Sequence, residues 1–337
     1  MTRILFVISN SNIGGAETLL ARVVENLDRT KFEPHVIVTD AIGPLHGRYR
    51  AASKYNYIHA VPDKPGAIVS YANAHADIVH VFNHLAMWKF ASSIKAPVVA
   101  SLFMDLTHGS GFADHWRPVA QAALPRLAAV ITDYQRNTEV LPGALVIPNG
   151  VDTEAFRPLD KVPNSVIWVG RLAESKGIDQ ILPIAADLKK HHITICAPEV
   201  NGALGRALVD YPVPNITIKV GLSDAELRAE LGRSELFLSA SRSEGMPVSL
   251  LEAMSSGCVP VVPAVGAMGQ VVSNETNGYV YEAGASPLVV AATIRHADTA
   301  RSAAARQTIV QDYSLAGMVS KYQAIYDQIL DGKKDVT

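Results

Sequence analysis

Short apolar runs alternate along most of the chain with stretches whose apolar residues recur every three or four positions. The run Arg3 to Ser9 predicts a strand, Ile13-Gly14-Gly15 a turn, and Ala16 to about Leu27 a helix whose Leu19, Leu20, Val23, Val24 and Leu27 form one stripe. Strand-like runs recur at His35 to Val38, Tyr57 to Ala60, Ile78 to Phe82, Val98 to Leu102, Val130 to Thr132 and Leu145 to Ile147, with helical stretches between them. That alternation is the pattern of a parallel sheet covered on both faces. A turn-rich segment, Ile147-Pro148-Asn149-Gly150-Val151-Asp152 and then Phe156-Arg157-Pro158, interrupts it. A second series follows, with strands at Ser165 to Val169, Ile193 to Cys196, Ile216 to Val220, Leu236 to Leu238 and Val259 to Val262. Its predicted helices cover Ser223 to Leu231, Val248 to Ser255 and Ser286 to Ala297. The tail from Tyr313 to Leu330 carries Val319, Tyr322, Ile325, Tyr326 and Ile329 at helical spacing. The chain therefore reads as an α/β protein with one domain over 1–150, a second over 151–312 and a helical tail over 313–337.

Two stretches of the second half concentrate chemistry. Ser239 to Pro260 reads as strand end, loop and helix, with Glu244 in the loop and Glu252 in the helix that follows Pro247. Pro suits the start of a helix, because its φ is already set and the N–H it lacks would be unpaired there. A helix opening at the C-terminal end of a sheet strand offers N–H groups and a positive dipole end to phosphate or sugar oxygens. The second stretch, Gly170-Arg171-Leu172-Ala173-Glu174-Ser175-Lys176-Gly177, follows a strand and leads into a helix predicted to begin near Lys176. It places two cations around a strand end. Fixed cations at such a place stabilise negative charge, as a phosphate group carries it. No Asp-rich metal motif accompanies them, so Arg171 and Lys176 would stand in for a divalent ion. Gly14 and Gly15 would let a diphosphate approach the backbone, although an ordinary strand-to-helix turn looks the same. Each of these charged residues taken alone is an ordinary solvated one; their combination carries the argument.

The string Ser-Glu-Gly-x-Pro-x-x-x-Leu-Glu-Ala-Met-x-x-Gly-x-x-Pro-Val-Val, from Ser243, resembles that of retaining glycosyltransferases of the GT-B fold, family GT4. So do Gly-Arg-Leu-x-x-x-Lys-Gly at Gly170, Gly-Gly-Ala-Glu at Gly14 and Pro-Asn-Gly-Val-Asp at Pro148, the last being similar to the family's interdomain hinge. The resemblance covers essentially the whole chain and implies two Rossmann-like domains facing a cleft, with a tail that crosses back to the first. It implies that Arg171 and Lys176 clamp the diphosphate, that Glu244 faces the donor sugar with backbone groups of Gly245, Met246 and Val248, and that Glu252 bonds the ribose. Pro247 has no N–H to give, and Gly221 and Leu222 fall where backbone groups meet the base. The implied activity is that of a hexosyltransferase moving a sugar from a nucleoside-diphosphate sugar, UDP ranked ahead of GDP, to a carbohydrate, glycolipid or small-molecule acceptor held mainly by the first domain. Transfer would retain configuration by front-side attack, with neither metal nor cofactor besides the donor. The chain departs from the family after the strand ending at Leu102, where a His is usual and Phe103-Met104-Asp105 stands instead. Either His108, a few residues on, or Asp105 fills that place, or no group does. Gln270 and Ala197 replace a usual Glu and Gly. Two other readings stay open: a GT-B phosphorylase or epimerase, and a nucleotide-sugar-binding partner subunit without turnover.

Composition narrows the setting. With 337 residues, 48% of them hydrophobic and 18% charged, the chain has the balance of a soluble globular protein with room for two cores. Its net charge of −2 supplies no basic field to recommend nucleic acid as a partner. Cys196 and Cys258 lack metal-ligand spacing and read as buried free thiols of a reducing compartment. The apolar start Ile4 to Ile8 gives way to Ser-Asn-Ser-Asn, too short for a signal-peptide core. No run approaches the roughly 18 to 20 apolar residues of a membrane span. The expectation is a cytoplasmic protein, with peripheral contact at the inner membrane face as a variant. Trp88, Lys89, Phe90 and Lys95 read either as a membrane-facing helix or as one packed on the core.

Overall fold

Strands buried on both faces can be apolar at every position, and β1 (Thr2–Asn10) is the clearest case. Its Ile4, Phe6 and Ile8 enter one buried cluster and its Leu5 and Val7 another, on the opposite side of the sheet. The computed structural model describes residues 1–58, 65–107, 111–200, 205–206, 210 and 213–332. It falls into two units, Met1–Asn149 together with the chain from Leu315 on, and Gly150–Ser314.

The first unit adds β2 (Phe32–Ala41), β3 (Lys54–Tyr57), β4 (Ile78–Phe82), β5 (Val98–Leu102), β6 (Ala129–Thr132) and β7 (Leu145–Val146). All seven strands are parallel, in the order β3-β2-β1-β4-β5-β6-β7. On the face of Phe6 lie the helix Gly15–Asn26, through Leu19, Leu20, Val23 and Val24, and the helix Leu315–Leu330, through Met318, Val319, Tyr322 and Tyr326. The second unit holds β8 (Val162–Val169), β9 (His192–Ala197), β10 (Ile216–Val220), β11 (Ser234–Leu238), β12 (Val259–Pro263) and β13 (Tyr279–Tyr281), again parallel, in the order β10-β9-β8-β11-β12-β13. The helices Ile178–Asp187 and Pro287–His296 cover one face of it, over Val166, Trp168, Ile195, Leu236 and Val261. In both sheets the winding direction reverses beside the first strand, between β1 and β4 and between β8 and β11. The loops leaving the carboxyl ends of strands at such a point form the usual ligand crevice of doubly wound sheets.

Several expectations need correction. The strand expected at Tyr57 to Ala60 runs from Lys54 to Tyr57, and residues 59 and 60 lie outside the described residues. The helix expected near Lys176 begins at Ile178: Lys176 closes a 3-10 turn, and Gly177 takes a left-handed φ of 67° before the helix starts. Of the two readings of the stretch at Trp88, the one packed on the core holds. Trp88 is wholly buried at the end of the short helix Leu85–Trp88, packed in the core with Leu85 and Met87. Both cysteines are free and buried, and burial pushes their thiols up, to about 12 for Cys196 and about 11 for Cys258. Among the described residues, no helix is long and apolar enough to cross a membrane.

Candidate active site

Adjacent strands β8 and β11 deliver their outgoing loops to the same edge of the second sheet. The β8 loop carries Arg171 and Lys176, the β11 loop Glu244. The structure brings two of these three together: the Lys176 ammonium donates to Glu244 Oε1 in an ion pair. Ser241 Oγ donates to the same oxygen at 2.7 Å. Both charged groups are partly shielded, with the lysine and glutamate side chains 24% and 11% exposed, so their attraction is screened less than that of an open surface pair. Arg171 stays apart, exposed to solvent, with no side-chain hydrogen bond or ion pair among the described residues.

Glu244 is held from behind as well. Gly245 O accepts Ala267 N–H at 2.8 Å, and Gly266, at φ 53°, lies so close that a Cβ there would stand 2.2 Å from Glu244 O. Pro247 then sits in extended geometry as the N-cap of the helix Val248–Ser255. Met246 and Val248 are buried, and so is Glu252 inside that helix, at 6% exposure. Gly221 leaves β10 with φ 67° and donates to Ala197 O at 2.9 Å, with Leu222 next to it. Among the described residues no three His, Cys, Asp or Glu side chains converge as a metal would require.

In the first unit, Gly14 is the N-cap of its helix in extended geometry, followed by Gly15 as the first helical residue. The Glu17 carboxylate lies against Gly14, an oxygen 2.3 Å from where a Cβ would stand. In the loop that leaves β5, the Asp105 carboxylate closes a turn by accepting Thr107 N–H at 2.7 Å and Thr107 Oγ1 at 2.5 Å. His108 lies outside the described residues. Sequence reasoning passed over His84, two residues after β4 and thus at the reversal point of this sheet. Its Nε2 lies 3.0 Å from Thr39 Oγ1, and burial holds its imidazole below the ordinary range. A His just past the strand Ile78 to Phe82 was the available signal. Arg242 and Asp179 were passed over too. The Arg242 guanidinium grips both oxygens of Asp179, at 2.8 and 2.6 Å, and its first effect is to hold that carboxyl down, at about 2.

Residues 152–307 match the family described as glycosyl transferases group 1. Over 150 residues the chain is 31% identical to an MMP alpha-(1->4)-mannosyltransferase of Mycolicibacterium hassiacum, covering 42% of this chain and 36% of that enzyme. A GDP-mannose:cellobiosyl-diphosphopolyprenol alpha-mannosyltransferase of Komagataeibacter xylinus is 23% identical across 88% of this chain and 81% of its own. Among solved structures, sucrose-phosphate synthase of Thermosynechococcus elongatus superposes with a TM-score of 0.81 at 15% identity, covering 99% of this chain and all of that one (100%). HepE of Anabaena in complex with UDP-glucose gives 0.78 at 16% identity, covering 98% and 100%. At these identities the likeness to the solved structures is one of fold, two parallel-sheet Rossmann-like units.

Proposed function

We propose, from the premise that this chain is a glycosyltransferase of the GT-B fold and the GT4 type with its group 1 domain over residues 152–307, that it moves a hexose from a nucleoside-diphosphate sugar to a carbohydrate or lipid-linked acceptor, retaining anomeric configuration and using no divalent metal. The observation that carries this reading is the Lys176–Glu244 ion pair at the point where the second sheet reverses. A cation and a carboxylate side by side at such an edge match the two ends of the bond to be broken. The Lys176 ammonium, with Arg171, offsets the charge growing on the β-phosphate. The Glu244 carboxylate accepts hydroxyl hydrogens of the sugar, and the buried Glu252 accepts those of the ribose. Gly245, Met246 and Val248 supply backbone groups at the helix start beside them, and Gly221 and Leu222 meet the base. Gly14 and Gly15 give the first unit a backbone that a phosphate or sugar can approach.

For the donor, the relative that aligns along most of its length is named for GDP-mannose, and one fold neighbour was solved with UDP-glucose. Both nucleotides therefore head the list, with the named diphosphopolyprenol acceptor supporting a lipid-linked acceptor here. The test is a set of UDP-, GDP-, ADP- and dTDP-hexoses with excess EDTA, followed by thermal shift and by NMR of the product's anomeric proton. One nucleotide class stabilising the protein and yielding a product of the donor's configuration is the expected result. Inversion, or turnover only on adding a divalent ion, would sink the mechanism; hydrolysis or epimerisation without an acceptor would move the assignment to another GT-B reaction.

A further inference from the structure

We propose that Arg242 and Asp179 are the positioning pair that sets how far Lys176 stands from Glu244, a role that rests on the glycosyltransferase reading for its consequence in turnover. Strand pairing ends before the site: the β8–β11 register runs only to Ile167 and Phe237. Beyond it the two loops are joined by another set of contacts. The Arg242 fork bonds Asp179 Oδ1 at 2.8 Å and Oδ2 at 2.6 Å and also donates to Glu174 O. The Arg242 backbone N–H donates to Ser175 O at 2.9 Å. Gly177 lies so close to Ala240 that a Cβ there would stand 1.9 Å from its carbonyl oxygen.

These contacts bracket the reactive side chains in sequence. On one side they fall on residues 174, 175 and 177 of the β8 loop and on 179 in the first turn of the helix that follows, on both sides of Lys176; on the other they fall on 240 and 242, just before Glu244. An exposed ion pair adds little to global stability, and this one is open to solvent, at 44% and 30% side-chain exposure. Its geometry is of the other kind: a planar fork on a carboxylate fixes orientation as well as distance, which a lysine in its place would not do. With its charge met by Asp179, Arg242 has no need of a phosphate. Its effect passes through Lys176 and Glu244, the groups proposed to hold opposite ends of the donor.

With the roles proposed for Lys176 and Glu244, a nucleoside diphosphate alone would meet the Lys176 side of this brace, whereas a nucleotide sugar would span both sides. Loosening the brace should therefore act on turnover more than on nucleotide binding. In Arg242→Ala and Asp179→Asn, kcat for sugar transfer is expected to fall by about 100-fold, the cost of a misplacement near 1 Å, with the Kd for UDP or GDP within about twofold of wild type. Arg242→Lys should fall between, and the exchange Arg242→Asp with Asp179→Arg should recover part of kcat. Unchanged kcat in both single variants, or nucleotide binding lost in proportion to kcat, would overturn the proposal. A readout free of activity accompanies it: acetylation of Lys176 by a limiting amine reagent, followed by mass spectrometry, should speed up several-fold in Arg242→Ala while other lysines and Tm stay as in wild type. Equal Lys176 labelling in the two proteins would overturn it as well. If the wild type neither binds nor transfers any donor, the glycosyltransferase reading fails, and the labelling still decides whether the brace positions Lys176.

Discussion

At the scale of single residues, the ion pair between Lys176 and Glu244 puts the two proposed ends of the donor site in competition. A phosphate oxygen that takes another of the Lys176 N–H donors comes to rest close to the Glu244 carboxylate, so the two anions share one cation and repel each other. Glu244→Gln keeps the side chain's shape and removes the charge. It should bind a nucleoside diphosphate more tightly, by roughly threefold to tenfold, since even a partly screened charge pair is worth about 1 kcal/mol. The same variant should lose about 100-fold in kcat for sugar transfer, because a carboxylate aimed at the sugar's hydroxyls is replaced by a weaker acceptor. Isothermal titration with the bare nucleotide and steady-state kinetics with the sugar nucleotide check the two halves; a fall in both would mean that Glu244 helps hold phosphate. Lys176→Ala, in contrast, should weaken nucleotide binding and turnover together. Glu244 and Lys176 were legible in the sequence because their neighbours spell out long strings. Arg242 and Asp179 were not, although one stands two residues before Glu244 and the other three after Lys176. Nothing one-dimensional joins positions 179 and 242; only the adjacency of β8 and β11 does.

At the scale of elements, legibility follows burial. Strands β4 and β5, buried at every position, have the bounds read from the sequence because the apolar run and the sheet ladder end together. The helix Val248–Ser255 does so because Pro247 fixes its start. The helix Ser302–Asp312 was missed for the opposite reason: only Ala305 and Ile309 are buried, too thin a stripe to register. The helix expected near Lys176 starts just beyond a single glycine. Gly177 has φ 67° and touches the Ala240 carbonyl, so Gly177→Ala meets both a left-handed backbone and a clash with main chain that cannot rotate away. Gly284, at φ 81° with nothing within 4 Å of where a Cβ would stand, meets the backbone strain alone. Gly284→Ala should cost about 1 to 2 kcal/mol, and Gly177→Ala distinctly more, on the order of 3 kcal/mol or above, since overpacking adds to it. Urea denaturation of the two variants beside wild type checks the order. Equal losses would mean that the β8 and β11 loops can slide apart freely and that no brace holds them.

At the scale of the whole molecule, the chain returns to its first unit through a polar contact in an apolar core. His80, in the middle of β4, is wholly buried, its Nδ1 2.6 Å from Tyr326 Oη on the returning helix Leu315–Leu330 and its Nε2 2.5 Å from Ser101 Oγ on β5. The helical stripe announced the helix, whereas a lone His inside a strand gave no sign that it would tie the helix down. Burial pushes His80 down to about 3, and no neighbouring charge counters it. Tyr322 and Tyr326 around it are pushed up by burial and stay neutral through the acid range. The sign follows. An unfolded His80 takes up a proton as the pH falls through the ordinary 6.5 or so, while the folded one refuses it until about 3. Its contribution to stability is thus fully present above that ordinary value and is lost below it, at up to about 1.4 kcal/mol per pH unit. His35, His84 and His191 are lowered by burial as well and act in the same direction, so the slope of the wild type alone cannot be credited to one residue. His80→Gln isolates it: the variant is less stable at pH 7.5, but its stability should fall less steeply between pH 6 and pH 4.5, by close to one proton's worth. Tyr326→Phe keeps the histidine and removes its partner, which should cost about 1 to 3 kcal/mol for the unpaired nitrogen without flattening that slope. Equilibrium unfolding of the three proteins across this pH range decides the matter. A slope shared by wild type and His80→Gln would mean that water or backbone motion lets His80 protonate in the folded state, and that the returning helix is docked by its apolar stripe alone.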